Sequence, residues 1–238
     1  MIFLTAQWRN LVMLNYEVDP PLLSGLLPVG TVFDRWRGMV LVTLVAFRFL
    51  NTRVLSIPFP FHGDFDEINL RFYVRRRGPD GWRRGVVFIK EVVPRALVAL
   101  VARRLFQENY VRHPTVSSIE LPKMGQTGIA EYRWLADHST YSVRAEFAGA
   151  PTLPELGSEC DFVTEHYWGY SGTPRGRTIE YRVDHPRWRV WPARVASFDG
   201  DAEKFYGLAL GRTLLRSPRS AFVAEGSAVT VHAGQRIT

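Results

Sequence analysis

The chain is short of cysteine and of lysine, and both shortages exclude chemistry. A single cysteine, Cys160, stands among 238 residues, so no internal disulfide can form, a usage that fits a reducing cytoplasm. The lone thiol also removes the cysteine zinc patterns. The histidines (His62, His113, His138, His166, His185 and His232) show no HExxH spacing, so no metal is expected. Cys160 falls on a short amphipathic segment with no adjacent histidine, and reads as a small buried residue rather than a nucleophile. Ser117, Ser118 and Ser171 lack a GxSxG context. Gly169–Gly176 is a turn cluster that does not run from strand into helix as a phosphate loop must. No cofactor is expected.

Lysine occurs only at Lys90, Lys123 and Lys204. Lys90 falls among the central strands, where a desolvated amine would suit imine chemistry; a solvated sheet lysine is the plainer reading. Long apolar runs are missing too. Met39–Phe47 is the longest, is interrupted by Thr43 and ends at Arg48, well short of the ~20 residues that span a bilayer. Met1-Ile-Phe-Leu-Thr lacks a basic lead, so no signal peptide is expected. These readings place the chain in the cytoplasm, with no membrane partner.

Arginine supplies most of the positive charge behind a net +7. Such a charge can attract nucleic acid, but the arginines are scattered. The densest run, Arg75-Arg76-Arg77 with Arg83-Arg84, flanks Gly78-Pro79-Asp80-Gly81 and reads as a solvated hairpin tip. A nucleic-acid module is therefore the least favoured of the function classes.

The pattern along the chain is that of a single domain, 1–238, of α+β class and mostly antiparallel β. Expected strands are Ala6–Val18, Tyr110–Leu121, Ile129–Leu135, Thr140–Phe147, Tyr167–Ser171, Thr178–Asp184, Trp188–Ser197 and Ala221–His232. Hairpins are expected for Thr31–Asp34 with Met39–Leu50, and for Phe65–Arg77 with Trp82–Val93. The nearly all-apolar Met39–Leu50 arm reads as a central strand covered on both sides. Short helices are expected after Asp19-Pro20-Pro21, over Arg95–Phe106, near Ser158–His166 and over Asp201–Leu210, which ends at Gly211. Ser56–Gly63, rich in proline and phenylalanine, reads as a loop able to roof a pocket.

The strand within Glu67–Val74 carries the strongest functional pattern. Side chains alternate faces along a strand. Ile68, Leu70, Phe72 and Val74 share one face; Glu67, Asn69, Arg71 and Tyr73 share the other. Glu67 and Arg71, four residues apart, stand ~13 Å apart along the strand and cannot pair directly. Each needs a cross-strand partner, water or a ligand. One outcome is a wet polar face. In the other the face turns inward, Arg71 is a fork for a carboxylate or phosphate, and Glu67 carries or orients a proton. The aromatics of Tyr167-Trp168-Gly169-Tyr170 and Trp188-Arg189-Val190-Trp191 belong to the core or line such a pocket.

Several stretches together resemble the YqjF-like family, a bacterial domain of unknown function 2071. They are Trp8 through Pro28-Val29-Gly30, Glu67-x-Asn69-x-Arg71-x-Tyr73-Val74, Gly85-Val86-Val87-Phe88 and Ala102-Arg103-x-x-Phe106 leading to Tyr110. Phe162-x-Thr164-Glu165-His166-Tyr167 and His185-Pro186-x-Trp188 complete the likeness. That family is distantly similar to acetoacetate decarboxylase, which implies a cone-like antiparallel β barrel with an internal cavity. It also implies a catalytic role for a glutamate at the position of Glu67. Where the decarboxylase carries its paired lysines, this chain has Tyr110 and Val111. Without that amine no imine forms, which argues against acetoacetate decarboxylation.

The expected function is binding of a small anionic or carbonyl-containing organic ligand, with Glu67, Asn69, Arg71, Tyr73 and Tyr110 as ligand-binding residues. The alternative is an enzyme of lyase, isomerase or hydrolase type with Glu67 as its catalytic base. Assembly into a homo-oligomer is compatible with either.

Overall fold

A computed structural model describes residues 1–58, 63–94, 109–172 and 176–237. The expected helix Arg95–Phe106 and residues 59–62 of the Ser56–Gly63 loop lie outside the described residues.

The chain opens with β1 (Ile2–Glu17), β2 (Val32–Phe33), β3 (Leu41–Val54), β4 (Ile57–Pro58), β5 (Phe65–Gly78) and β6 (Gly81–Val93). Next come β7 (Tyr110–Arg112), β8 (Thr115–Glu120), β9 (Thr127–Ala136), β10 (Ser139–Ala148) and α1 (Glu159–Thr164). The last elements are β11 (Trp168–Gly172), β12 (Thr178–Asp184), β13 (Val190–Asp199), α2 (Ala202–Tyr206), α3 (Leu208–Leu214), β14 (Ser220–His232) and β15 (Gln235–Ile237). Pairing runs β12-β11-β6-β5-β3-β1-β14, and β14 pairs back onto β12 at Val183↔Val231 and Asp184↔Thr230. These strands therefore form a closed ring, which leaves them no open edge. From β14 the sheet continues outward through β13, β10 and β9 to β8. Most pairs are antiparallel; β6 with β7 and β6 with β11 are parallel.

Two apolar layers hold the ring. One contains Ile68, Leu70, Phe72 and Val74 of β5 with Tyr132, Trp134, Tyr141 and Phe147 of the extension. The other contains Val45, Phe47, Phe49, Phe65, Tyr73, Phe162 and Trp188. β5 lies between them, and every residue from Phe65 to Val74 is buried. β3 is central as expected, flanked by β1 and β5.

Several boundaries differ from the sequence reading. Val32–Phe33 pairs with β5 rather than with β3, because Trp36 and Met39 bond to each other across a tight turn that ends the first arm. The single strand expected over Tyr110–Leu121 is two strands, β7 and β8, separated by His113-Pro114, where proline cannot donate to a ladder. The last expected helix is split at Gly207 (φ +85°), and its second half passes through Gly211 to Leu214. The segment after Asp19 is a pair of 3-10 turns. The first strand begins at Ile2, four residues before Ala6.

Candidate functional site

The polar face of β5 forms one wall of a pocket with about 130 Å³ of open volume. A water needs roughly 10–15 Å³ by that measure, so a small organic molecule has room. Glu67, Asn69 and Arg71 line it, and each is less than a tenth exposed. Tyr110 of β7 lines it as well. Tyr73 does not. It lies fully buried behind the wall, its hydroxyl 2.5 Å from Thr43 Oγ1, and Thr43 donates onward to Asn15 Oδ1 at 2.7 Å.

A register shift decides what joins this wall. From Gly78↔Gly81 to Arg71↔Phe88 the β5–β6 hairpin pairs regularly; Leu70 then pairs with Lys90, so that Ile89 is an extra residue. A one-residue slip moves every later side chain to the other face. Regular pairing would set Lys90 opposite Asn69. The bulge sets Glu91 there instead, 1% exposed and lining the pocket, with Tyr110 next in register. Lys90 points the other way. Its ammonium donates to the Phe205 carbonyl and lies over the Phe205 ring, and burial lowers its pKa. It is thus half-buried rather than fully solvated. None of the chain's lysines lines the pocket.

Glu67 accepts from Asn69 Nδ2 at 2.9 Å and from the Tyr110 hydroxyl at 3.4 Å. Burial raises its pKa from 4.5 to about 7, against the pull of those hydrogen bonds and of the Arg71 charge. Arg71 sits 5.9 Å from the Tyr73 ring centroid, and its Nε has no hydrogen-bond partner. Among the described residues no carboxylate forms an ion pair with it.

Two histidines join the polar lining, with Thr52 and Thr164. His166, in the turn after α1, holds its Nε2 3.1 Å from Asp34 Oδ2, while Arg84 Nε donates to the same oxygen at 2.6 Å. Burial brings the imidazole pKa down to about 4. Asp34 is pushed up by burial but held below the usual range by the hydrogen bonds from His166 and Arg84. His185, between β12 and β13, stacks 4.2 Å from Trp188 and 4.7 Å from Tyr167, and burial lowers its pKa too. The remaining wall is largely aromatic: Trp8, Phe47, Phe49, Trp168 and Trp188. Of the aromatic runs noted in the sequence, Trp168 and Trp188 line the pocket, while Tyr170 and Trp191 belong to the other layer. The sequence reading did not single out Glu91, His166 or His185 as lining residues. Their signal was weak, since two sit in loops and the third depends on the bulge.

Other candidates fall away from the pocket. Burial pushes the Cys160 thiol up to about 12, so it is no ready nucleophile. No cluster among the described residues could hold a metal ion, and none of their helices is long and apolar enough to cross a membrane. The hairpin arginines are engaged within the fold. Arg76 and Arg83 pair with buried Glu180, Arg84 with Asp34, and Arg75 and Arg77 lie over Trp82.

Comparison with known proteins gives a family and a fold. The family model of an uncharacterized conserved protein, DUF2071, matches residues 5–228. Acetoacetate decarboxylase from Legionella pneumophila is similar in structure, with a TM-score of 0.69 at 13% identity over 99% of this chain and 87% of that one. An acetoacetate decarboxylase-like enzyme from Sphingomonas wittichii gives 0.66 at 13% identity, covering 100% of this chain and 94% of that one. The enduracididine biosynthesis enzyme MppR complexed with pyruvate gives 0.66 at 14% identity, covering 99% and 90%. No curated protein matches the sequence.

Proposed function

The chain belongs to the DUF2071 family of uncharacterized conserved proteins, and from that premise we propose that its pocket binds a small organic anion carrying a carbonyl or carboxylate group. Arg71 is the charge anchor. It is a buried guanidinium on a pocket wall, without an ion-pair partner among the described residues, and this observation carries the reading. A buried charge is costly until it is paired, and a carboxylate suits the guanidinium fork. The size of the pocket and its aromatic wall fit the usual recipe of apolar lining with a few convergent polar groups. MppR, which shares the fold, forms a complex with pyruvate, an anion of this kind. Schiff-base chemistry has no amine here, since Tyr110 and Val111 occupy the positions that the resemblance assigns to lysines.

Calorimetric titration of the full chain with pyruvate tests the anchor. A charge-assisted hydrogen bond contributes about 1.5–3 kcal/mol, so Arg71→Ala should weaken binding at least about tenfold. Equal affinity in wild type and variant removes Arg71 from the site.

One observation favours a second reading, an enzyme that uses Glu67 as general base. A carboxylate with a pKa of about 7 is matched to proton abstraction at neutral pH. Exchange of the pyruvate methyl protons for deuterium, followed by proton NMR, would occur in wild type and stop in Glu67→Gln. Binding without exchange leaves the protein a binder.

A further inference from the structure

The pocket wall contains more unpartnered polar atoms than a carboxylate can satisfy. Asp34 takes hydrogen bonds from both Arg84 and His166 on Oδ2. A carboxylate can only accept, so His166 must carry its hydrogen on Nε2, and Nδ1 is left as a bare acceptor. Burial keeps the ring neutral. Nδ1 has no hydrogen-bond partner; Tyr73 and Phe162 pack on the ring at centroid distances of 4.6 and 5.0 Å. The same logic fixes Asn69. Its NH2 donates to Glu67 Oε1, so the oxygen is the free end, and Oδ1 has no partner either. Arg71 Nε is an unpartnered donor. All three side chains are less than a tenth exposed and line the same pocket.

One cationic donor and two neutral acceptors thus belong to side chains that line one small volume, to which Trp8 Nε1 and Thr52 Oγ1 add two further unpartnered atoms. Leaving a buried polar atom unmade costs about 1–3 kcal/mol. A plain carboxylate relieves Arg71 alone. We propose that the ligand of this pocket carries a hydroxyl beside its carboxylate, as a 2-hydroxy acid or an enol does, and that His166 Nδ1 accepts that hydroxyl's hydrogen with Asn69 Oδ1 as the neighbouring acceptor. The inference rests on the anion reading above and narrows it. A hydroxyl suits two uncharged acceptors beside a guanidinium; an ammonium, the donor that the Glu67 and Glu91 carboxylates of the same wall would take, is the competing outcome of the test. His166 is the specificity-determining group: it selects the donor while Arg71 holds the anion.

The test uses the full chain with L-lactate, propionate and L-alanine as probes, which differ only in hydroxyl, hydrogen or ammonium at C2. In wild type, lactate should bind about tenfold tighter than propionate, equivalent to about 1.4 kcal/mol. In His166→Phe, which keeps a ring against Tyr73 and Phe162 but has no acceptor, that ratio should collapse towards one. Equal affinities in wild type, a ratio that survives the substitution, or a preference for alanine would each overturn the assignment. A measurement on wild type alone guards against a variant that does not fold. The 15N NMR signal of His166 Nδ1 should be that of an unprotonated ring nitrogen, moving on addition of lactate and not of propionate. A protonated Nδ1, or the same response to both acids, refutes it. If none of the acids binds at all, the anion reading itself fails, a result distinct from binding without discrimination.

Discussion

Glu67→Gln should stabilise the protein at neutral and alkaline pH, and the size of the gain is set by the burial of one carboxylate. Glu67 is 3% exposed, and its pKa rises from 4.5 to about 7 on folding. The folded state therefore holds this proton more tightly than the unfolded chain does. Stability is fully supported below pH 4.5, and falls as pH rises from there to about 7, because the unfolded carboxyl ionises freely while the folded one resists. At about 1.4 kcal/mol per pKa unit, ionised Glu67 costs the fold about 3 kcal/mol above neutrality. Glutamine has nearly the same shape and no titration. Its carbonyl can still accept from Asn69 Nδ2, so the offset at low pH should be small. The assay is urea denaturation of both proteins at intervals from pH 4 to 8.5. The difference in unfolding free energy should be near zero at the acid end, widen in favour of the variant, and level off above pH 7. A constant difference across the range, or a variant that is less stable at pH 8, would refute both the burial and the raised pKa.

Two further changes probe the frame around the pocket. At Gly169, paired with Tyr181 across β11 and β12, an added Cβ would lie 2.0 Å from the Tyr181 Cζ atom; Gly169→Ala should cost roughly 1–3 kcal/mol and weaken pyruvate binding by pushing the ring into the pocket. Unaltered urea midpoint and affinity would contradict that close approach. Glu180, 3% exposed, pairs with Arg76 at 3.2 Å and with Arg83 at 2.5 Å; Glu180→Ala should lose about 3 kcal/mol by leaving Arg76 without its carboxylate and Arg83 with only the exposed Asp80, and a loss under about 0.5 kcal/mol, the range of a neutral surface change, would show the network to be idle.

The positions of most strands along the chain were legible because alternation and turn residues are local signals. β3 reads as central from an apolar run, and β5 as two-faced from its strict alternation around Glu67 to Tyr73. Which face turned inward was not legible by alternation, because β5 is buried on both sides: the polar face meets the pocket and the apolar face meets Tyr132 and Trp134. Glu91 and Lys90 exchange roles through the extra residue Ile89, and a single bulge leaves no mark in composition. Ring closure through Val183↔Val231 joins segments far apart in the chain, and the ring of His166 in the pocket wall is held by Asp34, from an early turn. Long-range pairings of this kind are set by tertiary packing rather than by periodicity.

The polar floor of the pocket is hard to explain as a device for stability. Glu67, Asn69, Arg71, Glu91 and His166 are all buried, and Asn69 Oδ1, Arg71 Nε and His166 Nδ1 lack hydrogen bonds. Hydrophobic residues of similar volume are often as stable as buried ions or more so. The rest of the second apolar layer, from Phe47 to Trp188, shows that this fold fills such space with aromatics. A site that lowers stability where it could raise it is the usual mark of a surface kept for recognition or chemistry. The stabilising outcome expected for Glu67→Gln is therefore also a functional argument: gained stability together with lost exchange or altered anion affinity would tie the strain on that carboxylate to its use. Gained stability with neither change would separate the strain on that carboxylate from any role in binding or exchange.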